Sequence, residues 1–143
     1  MSVEENKALV REFVEEVLNK RNLGALEKFI AADYREHNPP PRGTGGLEDL
    51  RGGMTLFLGA FPDLHMTVED QVGEGDKVAS RFTTRGTQRG ELFGVPPSGQ
   101  EVVYSTIDIA RFAGGKIVER WGLDDQLGVL QQLGVVPPPQ QTS

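Results

Sequence analysis

The sequence predicts one α+β domain, with helices first and a curved antiparallel sheet wrapped around them. Two patterns carry this: apolar residues recur every three or four positions as far as Phe61, and at every second position from Leu64 onward. Size is the third observation, since 143 residues suit one core and a chain of this length withdraws roughly 68–70% of its unfolded surface from water. The predicted domain spans residues 1–136, and residues 137–143, rich in Pro and Gln, read as a disordered tail.

Ser2 and Glu5 have the spacing of a capping box, and Val10, Phe13, Val14, Val17 and Leu18 then share a helical face, predicting a first helix to about Lys20. Leu23, Leu26, Phe29 and Ile30 predict a second, shorter helix ending before Asp33. The stretch from Tyr34 to Asn38 reads as a short strand entering the loop of Pro39, Pro40 and Pro41, which cannot continue a helix or a central strand. Leu50, Met54, Phe57, Leu58 and Phe61 predict a third helix, weakened by Gly52 and Gly53 and closed by Pro62.

Leu64, Met66 and Val68 then alternate with polar residues, as do Val78, Ser80, Phe82 and Thr84 with their neighbours. Further strands are expected over Val102 to Phe112 and Lys116 to Trp121, joined by a tight turn at Ala113-Gly114-Gly115. Leu127, Leu130 and Leu133 predict a terminal helix stopped by Gly134.

Composition narrows the function. The chain carries 15 basic and 21 acidic residues, and a net charge of -6 opposes attraction to phosphate backbones or anionic lipid, so neither nucleic acid nor membrane is an expected partner. No cysteine is present, which removes disulfides, thiolate nucleophiles and thiolate zinc sites. The acidic, amphipathic start does not resemble a secretory signal, and a soluble cytoplasmic protein is expected. Phosphate loops, nucleophile elbows and dinucleotide fingerprints are missing, so no cofactor is expected.

Acid–base work near neutral pH then falls on His37, His65 or a carboxylate whose pKa the fold has moved. Asp125 opens the terminal helix and is either its N-cap or a base desolvated by Trp121, Leu123 and Leu127, while Asp124 is a decoy beside it. Alternation places Asp108 on one strand face with Tyr104, Thr106 and Phe112, which is either the concave, pocket-lining face or a solvated one. Arg81 and Arg111 either bind a substrate carbonyl or pair with Glu on a neighbouring strand. The two histidines, far apart in sequence, make a poor metal site.

Across nearly the whole chain the residues form a familiar ordered set. Tyr34-x-Glu36-His37-Asn38-Pro39, Phe61-Pro62-Asp63-Leu64, Gly94-Val95-Pro96-Pro97-Ser98-Gly99, Gly115-Lys116-Ile117-Val118-Glu119-x-Trp121, Asp125-Gln126-Leu127-Gly128 and Gln131-Gln132-Leu133-Gly134 together resemble the SnoaL-like polyketide cyclases, or ester cyclases, of the nuclear transport factor 2-like superfamily. The resemblance implies a cone-shaped α+β barrel with an internal hydrophobic pocket, a homodimer, and a cofactor-free intramolecular aldol cyclisation of an apolar carbonyl compound. It also implies that an aspartate matching Asp125 is the general acid/base, with His37, Tyr34 or Tyr104 stabilising the enolate. Trp121, Asp108, Tyr34, Tyr104, Arg81 and Phe61 are the substrate-binding candidates, and no metal is implied. Where the family commonly has Gly-Thr-His-x-Gly this chain has Gly86-Thr87-Gln88-Arg89-Gly90, so Gln88 replaces a histidine that the resemblance implies at the mouth. A non-catalytic ligand carrier and an epoxide or ester hydrolase are the alternative activities on such a cone.

Overall fold

The computed structural model of the chain describes residues 1–39 and 43–137; Pro40, Pro41 and most of the expected tail lie outside the described residues. Helix α1 (Val3–Phe13) opens with the expected capping box: Ser2 Oγ accepts from Glu5 N at 3.1 Å, and Ser2 N donates to Glu5 Oε1 at 3.3 Å. The helix widens into a π segment, Val14–Asn19, which turns Val14, Val17 and Leu18 into the core. At its end the Asn19 side chain accepts from Met66 N at 2.8 Å and donates to Met66 O at 3.0 Å.

The second helix is shorter than its apolar spacing suggests. A 3-10 turn, Leu23–Ala25, leads into α2 (Leu26–Phe29), and the chain passes directly into strand β1 (Ile30–Glu36). Sheet pairing overrides a weak helical preference here, because Ile30 and Tyr34 are both buried once β1 lies beside β5. That pairing is parallel, so the sheet is not wholly antiparallel as expected.

Helix α3 (Leu47–Ala60) keeps Gly52 and Gly53 in its middle, where an added Cβ would meet nothing within 4 Å. The alternating segments become β2 (His65–Glu74), β3 (Lys77–Thr87), β4 (Glu101–Ala113) and β5 (Lys116–Asp124), ordered β1-β5-β4-β3-β2. Left-handed Gly114 and Gly115 make the β4–β5 turn tight, at φ 60° and 77°. No pairing joins β1 to β2, so the sheet curls without closing into a barrel. Helix α4 (Gln126–Gln132) follows and stops before Gly134, at φ 77°.

Helices cover one face of the sheet. One apolar cluster joins Val10, Val14, Val17, Phe29, Val78 and Phe112; another joins Ala60, Phe61, Leu64, Leu92, Val102 and Val129. Between them the concave face turns polar: register aligns Ser80, Asp108 and Gly122 in one row, and Phe82, Thr106 and Asp124 in the next. Leu50, Met54 and Phe57 of α3 stay half-buried, packed against these two clusters.

Candidate functional site

Strict alternation along β4 buries Val102, Tyr104, Thr106, Asp108, Ala110 and Phe112 on the helix-covered side, which fixes the concave reading of Asp108. Arg120 on β5 folds toward it, its Nε donating to Asp108 Oδ2 at 2.8 Å and its Nη1 donating to Glu36 Oε2 at 2.8 Å. Tyr34 Oη donates to the same Glu36 oxygen at 2.9 Å. One guanidinium thus serves two carboxylates, and the cluster carries a net negative charge in a largely buried place.

Burial pushes the Asp108 carboxyl above its ordinary pKa, opposed by the charge and hydrogen bond of Arg120 and reinforced by the nearby Glu36 and Asp124. Burial also raises the Tyr34 phenol, as does the charge on Glu36. Tyr104 is raised by burial and then by Asp124, so it stays a protonated donor through the neutral range. Asp124, expected to be a decoy, sits at the exposed edge of this belt, where its Oδ1 accepts from Thr106 Oγ1 at 2.6 Å.

The other candidates lie elsewhere. Asp125 is exposed and takes the capping geometry, its Oδ1 accepting from Gly128 N at 2.9 Å. Trp121 pairs across the ladder with exposed Ile109, which puts it on the outer face, and His37 stacks on it with ring centroids 4.6 Å apart. His37 Nε2 meets Glu119 Oε2 at 2.6 Å, and Glu119 also pairs with Arg111, the neighbouring-strand alternative for that arginine. Arg81 is exposed between buried Ser80 and Phe82, again on the outer face. The side chains of Trp121, His37 and Arg81 therefore stand on the opposite face of the sheet from those of Tyr34, Tyr104 and Asp108, although Trp121 and Asp108 both border one depression. Phe61 is core, 1% exposed, packed against Gly86.

Along β4 and β5 runs an open depression of about 540 Å³, lined by Ile107, Asp108, Ile109, Trp121, Leu123 and Asp125 among others. His65 lies at the start of β2 opposite Arg85, and no cluster of three metal-ligating side chains occurs among the described residues. Gln88 does not line the mouth: fully buried, it donates to Gly90 O and Val95 O at 3.1 Å and accepts from Ser98 N and Ser98 Oγ at 3.2 and 2.5 Å. It ties the Gly94–Gly99 loop to the end of β3.

Sequence reasoning missed Arg120 and Glu36. One signal was available: Gly122 in a strand interior marks a close approach, and the group approaching is Arg120.

The model of the SnoaL-like polyketide cyclases matches residues 8–133. The chain belongs to this family. It is 30% identical over 132 residues to the aklanonic acid methyl ester cyclase DnrD of Streptomyces peucetius, covering 88% of each protein. Among solved structures, AclR of Streptomyces galilaeus, named as a candidate hydroxylase, matches with TM-score 0.87 and 33% identity, over 98% of this chain and 87% of that one. IdmH of Streptomyces antibioticus, named as a candidate polyketide cyclase, matches with TM-score 0.78 and 34% identity, over 90% and 98%. The fold of this SnoaL-like chain is thus the nuclear transport factor 2-like cone in its unclosed form, and the family acts on polyketide small molecules. Its membership supports a cyclase activity. No helix among the described residues is long and apolar enough to cross a membrane.

Proposed function

We propose that this SnoaL-like protein is a cofactor-free cyclase that removes a proton next to a carbonyl and closes a ring by intramolecular aldol addition, with Asp108 as the general acid/base. The observation that carries the assignment is the placement of Asp108: a buried carboxylate with a raised pKa, on the helix-covered face of the sheet, held through one oxygen by Arg120. A base tuned upward is better matched to a weakly acidic carbon than an exposed one. Asp125 offers less, because its carboxylate is exposed and engaged as a cap.

In this reading Asp108 takes the proton, and the C–H electron pair becomes the enolate. The enolate carbon attacks a second carbonyl carbon, and the resulting alkoxide recovers the proton from Asp108. Tyr104, held in its protonated form, is a donor for developing negative charge. No electron acceptor or leaving group is needed, which suits a cofactor-free site.

The test uses aklanonic acid methyl ester, named for the curated relative, as first probe, followed by ring closure and by deuterium uptake from solvent. Asp108→Asn is expected to lower turnover by about 10²-fold or more, with Asp125→Asn within a few-fold of wild type. Loss of turnover in Asp125→Asn alone would return the base to the helix cap. Uptake of the probe without exchange in either variant or wild type would favour the ligand-carrier alternative.

The outer face bears on assembly. Ile107, Ile109 and Leu123 are 60%, 42% and 70% exposed over β4 and β5, an apolar surface suited to a homodimer about a two-fold axis. The sedimentation behaviour of wild type against Ile107→Lys measures this. The cysteine-free, acidic chain suits the cytoplasm.

A further inference from the structure

We infer that Arg120, seated in the gap left by Gly122, is a second catalytic group of the concave site, whose Nη2 receives the oxygen on which charge develops as Asp108 takes the proton. The inference rests on the reading of Asp108 as base, and it assigns the other half of the proton transfer.

Three features of the guanidinium lead to it. Nε is committed to Asp108 and Nη1 to Glu36, while Nη2 has no partner among the described residues. Asp108 is likewise bound through Oδ2, with Oδ1 unpartnered among the described residues. The side chains of Arg120 and Asp108 are 25% and 10% exposed, so the pair is not wholly enclosed. A free carboxylate oxygen and a free guanidinium nitrogen on bonded partners form a base and a donor held side by side. The fork geometry of arginine fixes their separation.

Charge bookkeeping agrees. Before reaction two carboxylates share one cation; proton abstraction makes Asp108 neutral and moves the negative charge to the substrate oxygen, within reach of the same guanidinium. The donor is already aligned, so little reorganisation accompanies the step. Burial pushes Arg120 toward losing its proton, but Asp108 and Glu36 hold it net above its ordinary pKa, so it remains a cation.

Gly122 makes the seat. A Cβ there would lie 2.4 Å from Arg120 Cζ and 2.5 Å from Nη2, a distance that real side chains do not tolerate. Since the obstructed group is the end of a flexible side chain, Gly122→Ala is expected to leave the strand in place and push the guanidinium off its partners.

The experiment measures binding of 4-nitrophenolate, an oxyanion probe, by its absorbance change. It uses the full-length Asp108→Asn protein, whose neutral amide stands in for the protonated base, at a pH where the phenol is ionised. We expect Asp108→Asn to bind the probe, and the added change Arg120→Met or Gly122→Ala to weaken binding by about tenfold or more, with Arg120→Lys recovering part of it. Thermal melting monitors the fold, and Gly122→Ala covers the case in which Arg120→Met does not fold. Absence of binding to Asp108→Asn, or binding unaffected by both added changes, overturns the inference. If Asp108→Asn keeps full turnover on the cyclisation substrate while phenolate binding still depends on Arg120, the base assignment falls and the oxyanion site stands.

Discussion

The two faces of β4 share one strand, residue by alternate residue, and carry inverted chemistry. A half-covered sheet ordinarily turns apolar residues inward and polar ones outward. In the middle of β4, Thr106 and Asp108 point inward, while Ile107 and Ile109 point outward and are exposed. An inward carboxylate is costly unless paired, and an outward isoleucine pair gains nothing from water. Each inversion marks a place where the isolated fold is not optimised for its own stability, and the two coincide with the proposed site and the proposed dimer surface.

This comparison is broken most directly by activity. Asp108→Asn should lower turnover by about 10²-fold or more, whereas His37→Ala and Trp121→Phe, on the outer face, should leave initial rates near wild type. Large losses in the outer-face variants would erase the division.

Ion pairs give the next contrast. Arg120→Met leaves Asp108 and Glu36 facing each other without a cation, and an expected loss of about 3–5 kcal/mol should appear in urea denaturation. Arg111→Met on the outer face releases Glu119 to solvent, with an expected loss of about 1 kcal/mol or less. Equal losses would mean that the inner network is as solvated as the outer one.

A smaller effect separates capping from catalysis. Asp125→Ala removes the acceptor of Gly128 N and should cost about 1 kcal/mol in the same assay while turnover is kept.

The pH dependences should have opposite signs. Asp108 has a folded pKa above its ordinary 3.8, so its contribution to stability is greatest below that value and is lost as pH rises through the folded pKa; the acid limb of turnover should accordingly lie above pH 3.8. Glu119 is held below its ordinary 4.5 by hydrogen bonds from His37 and Arg111, so its contribution is present above 4.5 and is lost as pH falls through the folded pKa. Unfolding measured in acid should therefore show Glu119→Gln losing part of the pH dependence that Asp108→Asn retains.

Local periodicity was enough for much of the fold: the capping box at Ser2, the alternation that puts Asp108 on one face with Tyr104, Thr106 and Phe112, the glycine turn before β5 and the stop at Gly134. The cap at Asp125 was legible for the same reason, since its partner Gly128 is three residues away. Arg120 and Glu36 were hidden because they meet across 84 residues of chain, through a parallel pairing that no short pattern announces. The bulge between Arg111 and Phe112 shifts the β4–β5 register, which is why the outward direction of Trp121 could not be counted along β5 alone. Gln88 reads as a substituted mouth residue, but its partners Val95 and Ser98 belong to a loop that sequence periodicity does not place.

Strand β2 ends the sheet, and an end strand is a template for pairing with another chain. The amide of Asn19 occupies that template at Met66 in the manner of a missing strand, and farther along Gln71 donates to Lys7 O at 3.2 Å and accepts from Arg11 at 2.7 Å. The first helical segment is thereby pinned along the end strand. At Met66 a side-chain amide thus takes the place that a neighbouring strand's backbone would occupy.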